Sequence, residues 1–175
     1  MRQKLMCGLT LNAVVLATAY GANVLATSPS GFSGTTIAVG RFGDIDAANQ
    51  VLREFGDSTP QKDLWLSLQK SKGPSDLYVQ NNLWVPNGST GWHTHPGHSL
   101  IIVTAGTVTA YEGDETSCTA KEYTVGMGFV DPGGEHAHLL RNEGAVDAKT
   151  VAVQLVPAGA ARRIDVDKPA GCSVQ

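Results

Sequence analysis

From Thr36 onward apolar residues recur at every second position in short runs, and almost every run ends in glycine, proline, asparagine or aspartate. Leu64, Leu66 and Leu68 alternate with Trp65, Ser67 and Gln69, and Leu77-Tyr78-Val79 and Leu83-Trp84-Val85 flank a polar middle within Asp76 to Val85. A period of two puts successive side chains on opposite faces of a strand, so each run can bury one face. The breaks carry turn residues: Pro86-Asn87-Gly88-Ser89-Thr90-Gly91, Gly106 inside Leu100 to Tyr111, Glu112-Gly113-Asp114, and Asp131-Pro132-Gly133-Gly134 ahead of His136 to Arg141. A further run, Thr150 to Val156, stops at Pro157. Only Asp46 to Phe55, with Ala47, Val51, Leu52 and Phe55, reads as a short helix. Many short strands with glycine-rich turns make an all-β sandwich or barrel.

All five histidines fall between positions 93 and 138, as His93-Thr94-His95-Pro96-Gly97-His98 and His136-Ala137-His138. Imidazole is the commonest protein ligand for transition metals, and such clustering is most simply explained by a metal site. On an extended strand, residues two apart share a face with Cα atoms roughly 6.6 Å apart. His93 and His95 can therefore lean toward one ion while Thr94 faces away, and the same parity joins His136 to His138. The opposing explanation is a set of histidines that holds no metal.

The N-terminal end indicates where the protein works. Met1-Arg2-Gln3-Lys4 is a basic head, followed by an apolar run from Leu5 to about Ala19 and small residues before Thr27-Ser28-Pro29-Ser30, the layout of a secretory signal peptide. Cleavage after Val24-Leu25-Ala26 makes Thr27 the first mature residue; Ala17-Thr18-Ala19 is a second candidate. The run is shorter than the ~20 residues of a membrane-spanning helix, which disfavours an uncleaved anchor. Loss of residues 1–26 removes Arg2 and Lys4 and no acidic residue, moving the formal net charge from −3 to −5. Nucleic acid is not an expected partner of so acidic a chain, and no stable membrane insertion is expected after cleavage. A Ser/Gly/Thr/Pro segment at 27–35 reads as a flexible leader, and 36–175 as one domain. The expected location is secreted or periplasmic.

Export leaves Cys118 and Cys172 once Cys7 is removed, and an even count in an oxidising compartment favours a disulfide between them over two free thiols. It would close a loop of about 55 residues and stabilise the fold by roughly 4 kcal/mol.

At these histidines and turns the sequence resembles the cupin superfamily, small β-barrels of the double-stranded β-helix or jelly-roll type with a metal inside. The resemblance covers residues 75 to 157, with motifs at 91–106 and 126–142. In the first, Gly91-Trp92-His93-Thr94-His95-Pro96-Gly97-His98-Ser99 to Gly106 matches the His-x-His pair but has Ser99 where the family has a glutamate ligand. In the second, Gly126 to Pro132-Gly133-Gly134 and His138-Leu139-Leu140-Arg141-Asn142 match, with one extra residue before the histidine. The resemblance implies His93, His95 and His138 as ligands. His98 lies beside the missing glutamate and His136 replaces His138 if the register shifts, so both, with Ser99 and Glu135, are candidates for further ligands or pocket groups. Glu135 reads more readily as a solvated turn residue, and Tyr111 and Trp92 are either pocket or core.

The resemblance further implies a divalent transition ion, since imidazole accepts iron, manganese, nickel, copper or zinc, and a small-molecule ligand or substrate; it allows a homodimer. The expected function is an exported metal-binding cupin, as a metal-dependent enzyme of dioxygenase-like or lyase type, with a non-catalytic extracytoplasmic metal- or ligand-binding module as the alternative. Imidazoles with an ordinary pKa near 6.5 would release the ion below about pH 6. No Gly-x-Ser-x-Gly elbow or phosphate-cradling loop points to another chemistry.

Overall fold

Alternation in the sequence becomes twelve strands among the described residues. The computed structural model describes residues 27–55, 61–113 and 118–174; the expected signal peptide, 1–26, lies outside them. In chain order the strands are β1 (Ser30–Phe42), β2 (Ile45–Phe55), β3 (Gln61–Ser71), β4 (Ser75–Ser89), β5 (His93–Thr94), β6 (Ser99–Ala105), β7 (Thr107–Glu112), β8 (Ala120–Thr124), β9 (Gly128–Asp131), β10 (His138–Arg141), β11 (Ala148–Pro157) and β12 (Ile164–Asp165). One side of the barrel is the antiparallel run β1-β4-β11-β6-β9, the other is β12-β5-β10-β7-β8, and β10 joins them by pairing Arg141 with Ser89 of β4. All pairings are antiparallel, and the whole forms a jelly-roll barrel.

Parity sorts the interior. Along β11 Ala148, Thr150, Ala152, Gln154 and Val156 are buried while the residues between them are not, and on β6 Ser99, Ile101 and Val103 are buried between exposed Leu100, Ile102 and Thr104. Trp84, Val103, Val108 and Leu140 centre one apolar cluster; Trp92, Tyr111 and Leu139 centre a second, which also holds the Cys118–Cys172 disulfide. Tyr111 and Trp92 are thus core residues. The Tyr111 hydroxyl donates to Glu143 at 2.7 Å, and burial followed by that bond pushes its pKa up to about 12.

Three sequence expectations change. Asp46 to Phe55 belongs to a strand, because β3 offers its full length as an antiparallel ladder, Ile45 opposite Ser71 through Phe55 opposite Gln61. An isolated ten-residue helix has no comparable support. No helix occurs among the described residues. The leader is not free either: Ser30 to Thr35 pairs with β4, and Thr27 accepts the Trp92 N–H at 2.6 Å. The turn sequence Pro86 to Ser89 does not end its strand, as β4 is irregular but continuous to Ser89.

β2 and β3 form a separate two-stranded ribbon, which follows β1 and precedes β4 in the chain.

Candidate metal centre

Two tight turns bring the histidine motifs together. Gly91 has φ +67, and a Cβ there would fall 1.9 Å from the Thr27 carbonyl. Gly133 has φ +70, and its Cβ would fall 2.4 Å from the Gly97 carbonyl. Only glycine fits both demands. The second approach locks one motif against the other, with the Gly134 N–H donating to the His95 carbonyl at 2.6 Å. Trp92, fully buried beside the disulfide, anchors the chain immediately before His93 and donates its indole N–H to the Val174 carbonyl at 3.1 Å.

His93 on β5 pairs directly with His138 on β10, which brings their rings to 4.3 Å between centroids. The His95 ring lies 4.8 Å from that of His93 and 5.2 Å from that of His138. One ring nitrogen from each lies within 4.8 Å of the others. Strand β5 is only His93–Thr94, shorter than expected, and Thr94 is itself buried, against β12.

Hydrogen bonds fix the tautomers. Nδ1 faces a backbone carbonyl in each ring: Gly91 at 2.9 Å from His93, Arg162 at 2.5 Å from His95 and His136 at 3.3 Å from His138. Nδ1–H donates to that carbonyl, which leaves the Nε2 lone pair for a ligand. Burial lowers the pKa of all three rings; at His93 the charges of His138, Arg163 and His95 lower it further, while Asp131 partly offsets the effect at His95 and His138. Neutral imidazole is the form that binds a metal. The residues present therefore fit a transition ion.

The three rings line a cavity of about 260 Å³. Gln80, Asn82 and Gln154 give it a polar wall, and Arg162 and Arg163 make it cationic. Arg162 is held by Gln154 at 3.0 Å, by Gln80 and by the Tyr78 ring, so it is a fixed part of that wall. Trp84 lines the floor, and its buried indole N–H has no acceptor among the described residues.

The remaining candidates disperse. His98 is half-buried on the turn before β6, outside the cluster and the cavity lining. His136 turns to Glu112, Nε2 to carboxylate 2.5 Å, with its ring 6.2 Å from that of His138. The parity that should have joined them fails because β10 begins at His138 and His136 precedes the strand. Glu135 is exposed in its turn, and Ser99 lines the cavity. Sequence reasoning missed Asp131, a buried carboxylate 3.4 Å from His95 Nε2 and 3.7 Å from His138 Nδ1. It read as the head of the Pro132-Gly133-Gly134 turn; the signal was an acid inside the second motif when the first lacks its own.

No family model matches the chain, and no curated protein does. Several solved structures are similar over part of it. Peruvianin-I, a cysteine peptidase from Thevetia peruviana latex, matches with TM-score 0.44 and 24% identity over 53% of this chain and 56% of that one. The polyketide cyclase RemF from Streptomyces resistomycificus matches with TM-score 0.44 and 19% identity over 53% and 63%. A cupin domain from Bordetella pertussis Tohama I matches with TM-score 0.39 and 16% identity over 65% and 93%. The match spans little more than half the length of the first two proteins. The chain is thus a jelly-roll barrel in which a His-x-His pair and a histidine of the second motif meet, the arrangement that the cupin resemblance implies.

Proposed function

We propose that the protein is an exported metal-binding cupin in which His93, His95 and His138 hold a divalent transition ion through Nε2, beside a cavity that takes a small molecule. The observation that supports this reading is that each Nδ1 faces a backbone carbonyl, which leaves each Nε2 lone pair for a ligand, while one ring nitrogen of each histidine lies within 4.8 Å of the others. An ion so held supplies Lewis acidity and, for iron, manganese or copper, redox chemistry. The chain's own groups bind and orient: Arg162 and Arg163 favour an anionic ligand, and the Gln80, Asn82 and Gln154 amides offer it hydrogen bonds. The reading is that of a small-molecule metalloenzyme, an oxidoreductase or lyase. Export accords with the Cys118–Cys172 disulfide, which persists in oxidising compartments. Among the described residues no helix is long and apolar enough to cross a membrane.

A double change of His93 and His95 to Ala should abolish stoichiometric binding while the far-ultraviolet circular dichroism stays that of a β-barrel. Elemental analysis of the purified proteins measures this, and equal metal per chain in both would remove the assignment. Oxygen uptake and product analysis with a panel of small carboxylates then separate enzyme from binding module. The second reading, a non-catalytic module, is favoured by one observation, the Asp131 carboxylate standing close enough to occupy a further position.

A further inference from the structure

We propose that Asp131 is the fourth protein donor to the ion, delivering from β9 the carboxylate that Ser99 on β6 lacks; this rests on the metal-site reading above. Strands β6 and β9 are antiparallel, with Ser99 directly opposite Asp131. Opposed residues of such a pair share a face with Cβ atoms about 4.5–5.5 Å apart. A carboxylate moved from one member of the pair to the other therefore reaches the same region.

The contacts of the Asp131 side chain suit that role. Its Oδ1 accepts the Gly133 N–H at 2.9 Å, which anchors one oxygen and fixes the plane of the group. Its Oδ2 accepts the Ser99 hydroxyl at 3.4 Å and lies 3.4 Å from His95 Nε2, the atom whose lone pair faces the cluster. Two donors each about 2.1 Å from one tetrahedral ion are themselves about 3.4 Å apart. Oδ2 thus stands from the His95 donor at a ligand-to-ligand separation. Beyond the Gly133 N–H and the Ser99 hydroxyl, its neighbours are His95 Nε2 at 3.4 Å and His138 Nδ1 at 3.7 Å, in rings held neutral by burial, so these four contacts bring this buried carboxylate no positive charge and a cation would supply it. With Asp131 in place, three neutral rings and one carboxylate leave the centre a net single positive charge, where three rings alone would leave two. Ser99 then orients this carboxylate.

The test loads zinc(II) and cobalt(II) into wild type, Asp131→Asn, and Asp131→Asn combined with Ser99→Glu. Affinity is read by chelator competition and coordination by the cobalt visible spectrum. Asp131→Asn should weaken both ions at least tenfold and change the spectrum. The combined variant should regain affinity to within about tenfold of wild type and recover the spectrum, which loss of a mere orienting group would not produce. Unchanged affinity and spectrum in Asp131→Asn overturn the proposal and leave the histidine site standing, whereas a wild type that binds neither ion overturns both. Should Asp131→Asn not fold, a zinc-loaded wild-type crystal structure decides: Oδ2 about 2.0–2.2 Å from the ion supports the proposal, and Oδ2 beyond about 3 Å ends it.

Discussion

The barrel and the β2–β3 ribbon are written in the same sequence pattern and have opposite fates. In β11 and β6 the alternating residues find a second sheet across from them and are buried. In β3 Leu66 and Leu68 alternate just as regularly, yet they are 52% and 70% exposed, and Trp65 beside them is 50% exposed. Alternation specifies a strand with one apolar face; whether that face is buried depends on what the rest of the chain places against it. The stability of this protein therefore resides in the barrel, and so do its site and its disulfide.

That contrast can be broken at several points, the strongest being acid. The folded pKa values of His93, His95 and His138 lie below the ordinary 6.5 of an unfolded chain, so below pH 6.5 the unfolded state binds more protons. Stability of the ion-free barrel is intact above about pH 6.5 and falls as pH drops, by up to about 1.4 kcal/mol per pH unit for each ring. A denaturant midpoint unchanged between pH 7.5 and 5 would show that these rings are not buried neutral. The same burial moves proton competition for the ion to a lower pH than the sequence alone indicated.

Reducing the Cys118–Cys172 bridge, which spans 54 residues, should cost about 4 kcal/mol and lower the melting temperature of the barrel. Calorimetry with and without reductant measures it; coincident transitions would mean that the second core cluster holds without its covalent link. Leu139→Ala, at a fully buried site of that cluster, should cost about 2–5 kcal/mol. Leu68→Ser on the ribbon should stay within about 0.5 kcal/mol. Urea unfolding of both variants compares the two regions directly, and a ribbon change as costly as the core change would mean that the ribbon is covered in solution.

The strands were legible because their signals are local: period two, β-branched and aromatic residues, and turns at Gly106, Gly113 and Pro132-Gly133-Gly134. Asp46 to Phe55 was not, since Ala47, Val51, Leu52 and Phe55 satisfy helical and extended spacing alike and the partner strand β3 settles the choice. At the site, the His-x-His pair and His138 were readable through their motifs, but His136 carried the same local signal as His138. Only the start of β10 and the Glu112 carboxylate separate them.

What the sequence by itself determined is a β-rich chain with glycine-marked turns, a pairable set of cysteines and two histidine clusters, all properties of neighbouring residues. What only the tertiary structure decided is convergence. His93 meets His138, and Ser99 meets Asp131, through antiparallel registers between segments far apart in the chain. A one-residue slip in either register would turn the side chains to the opposite face, so the identity of the site is a consequence of strand pairing across the whole barrel.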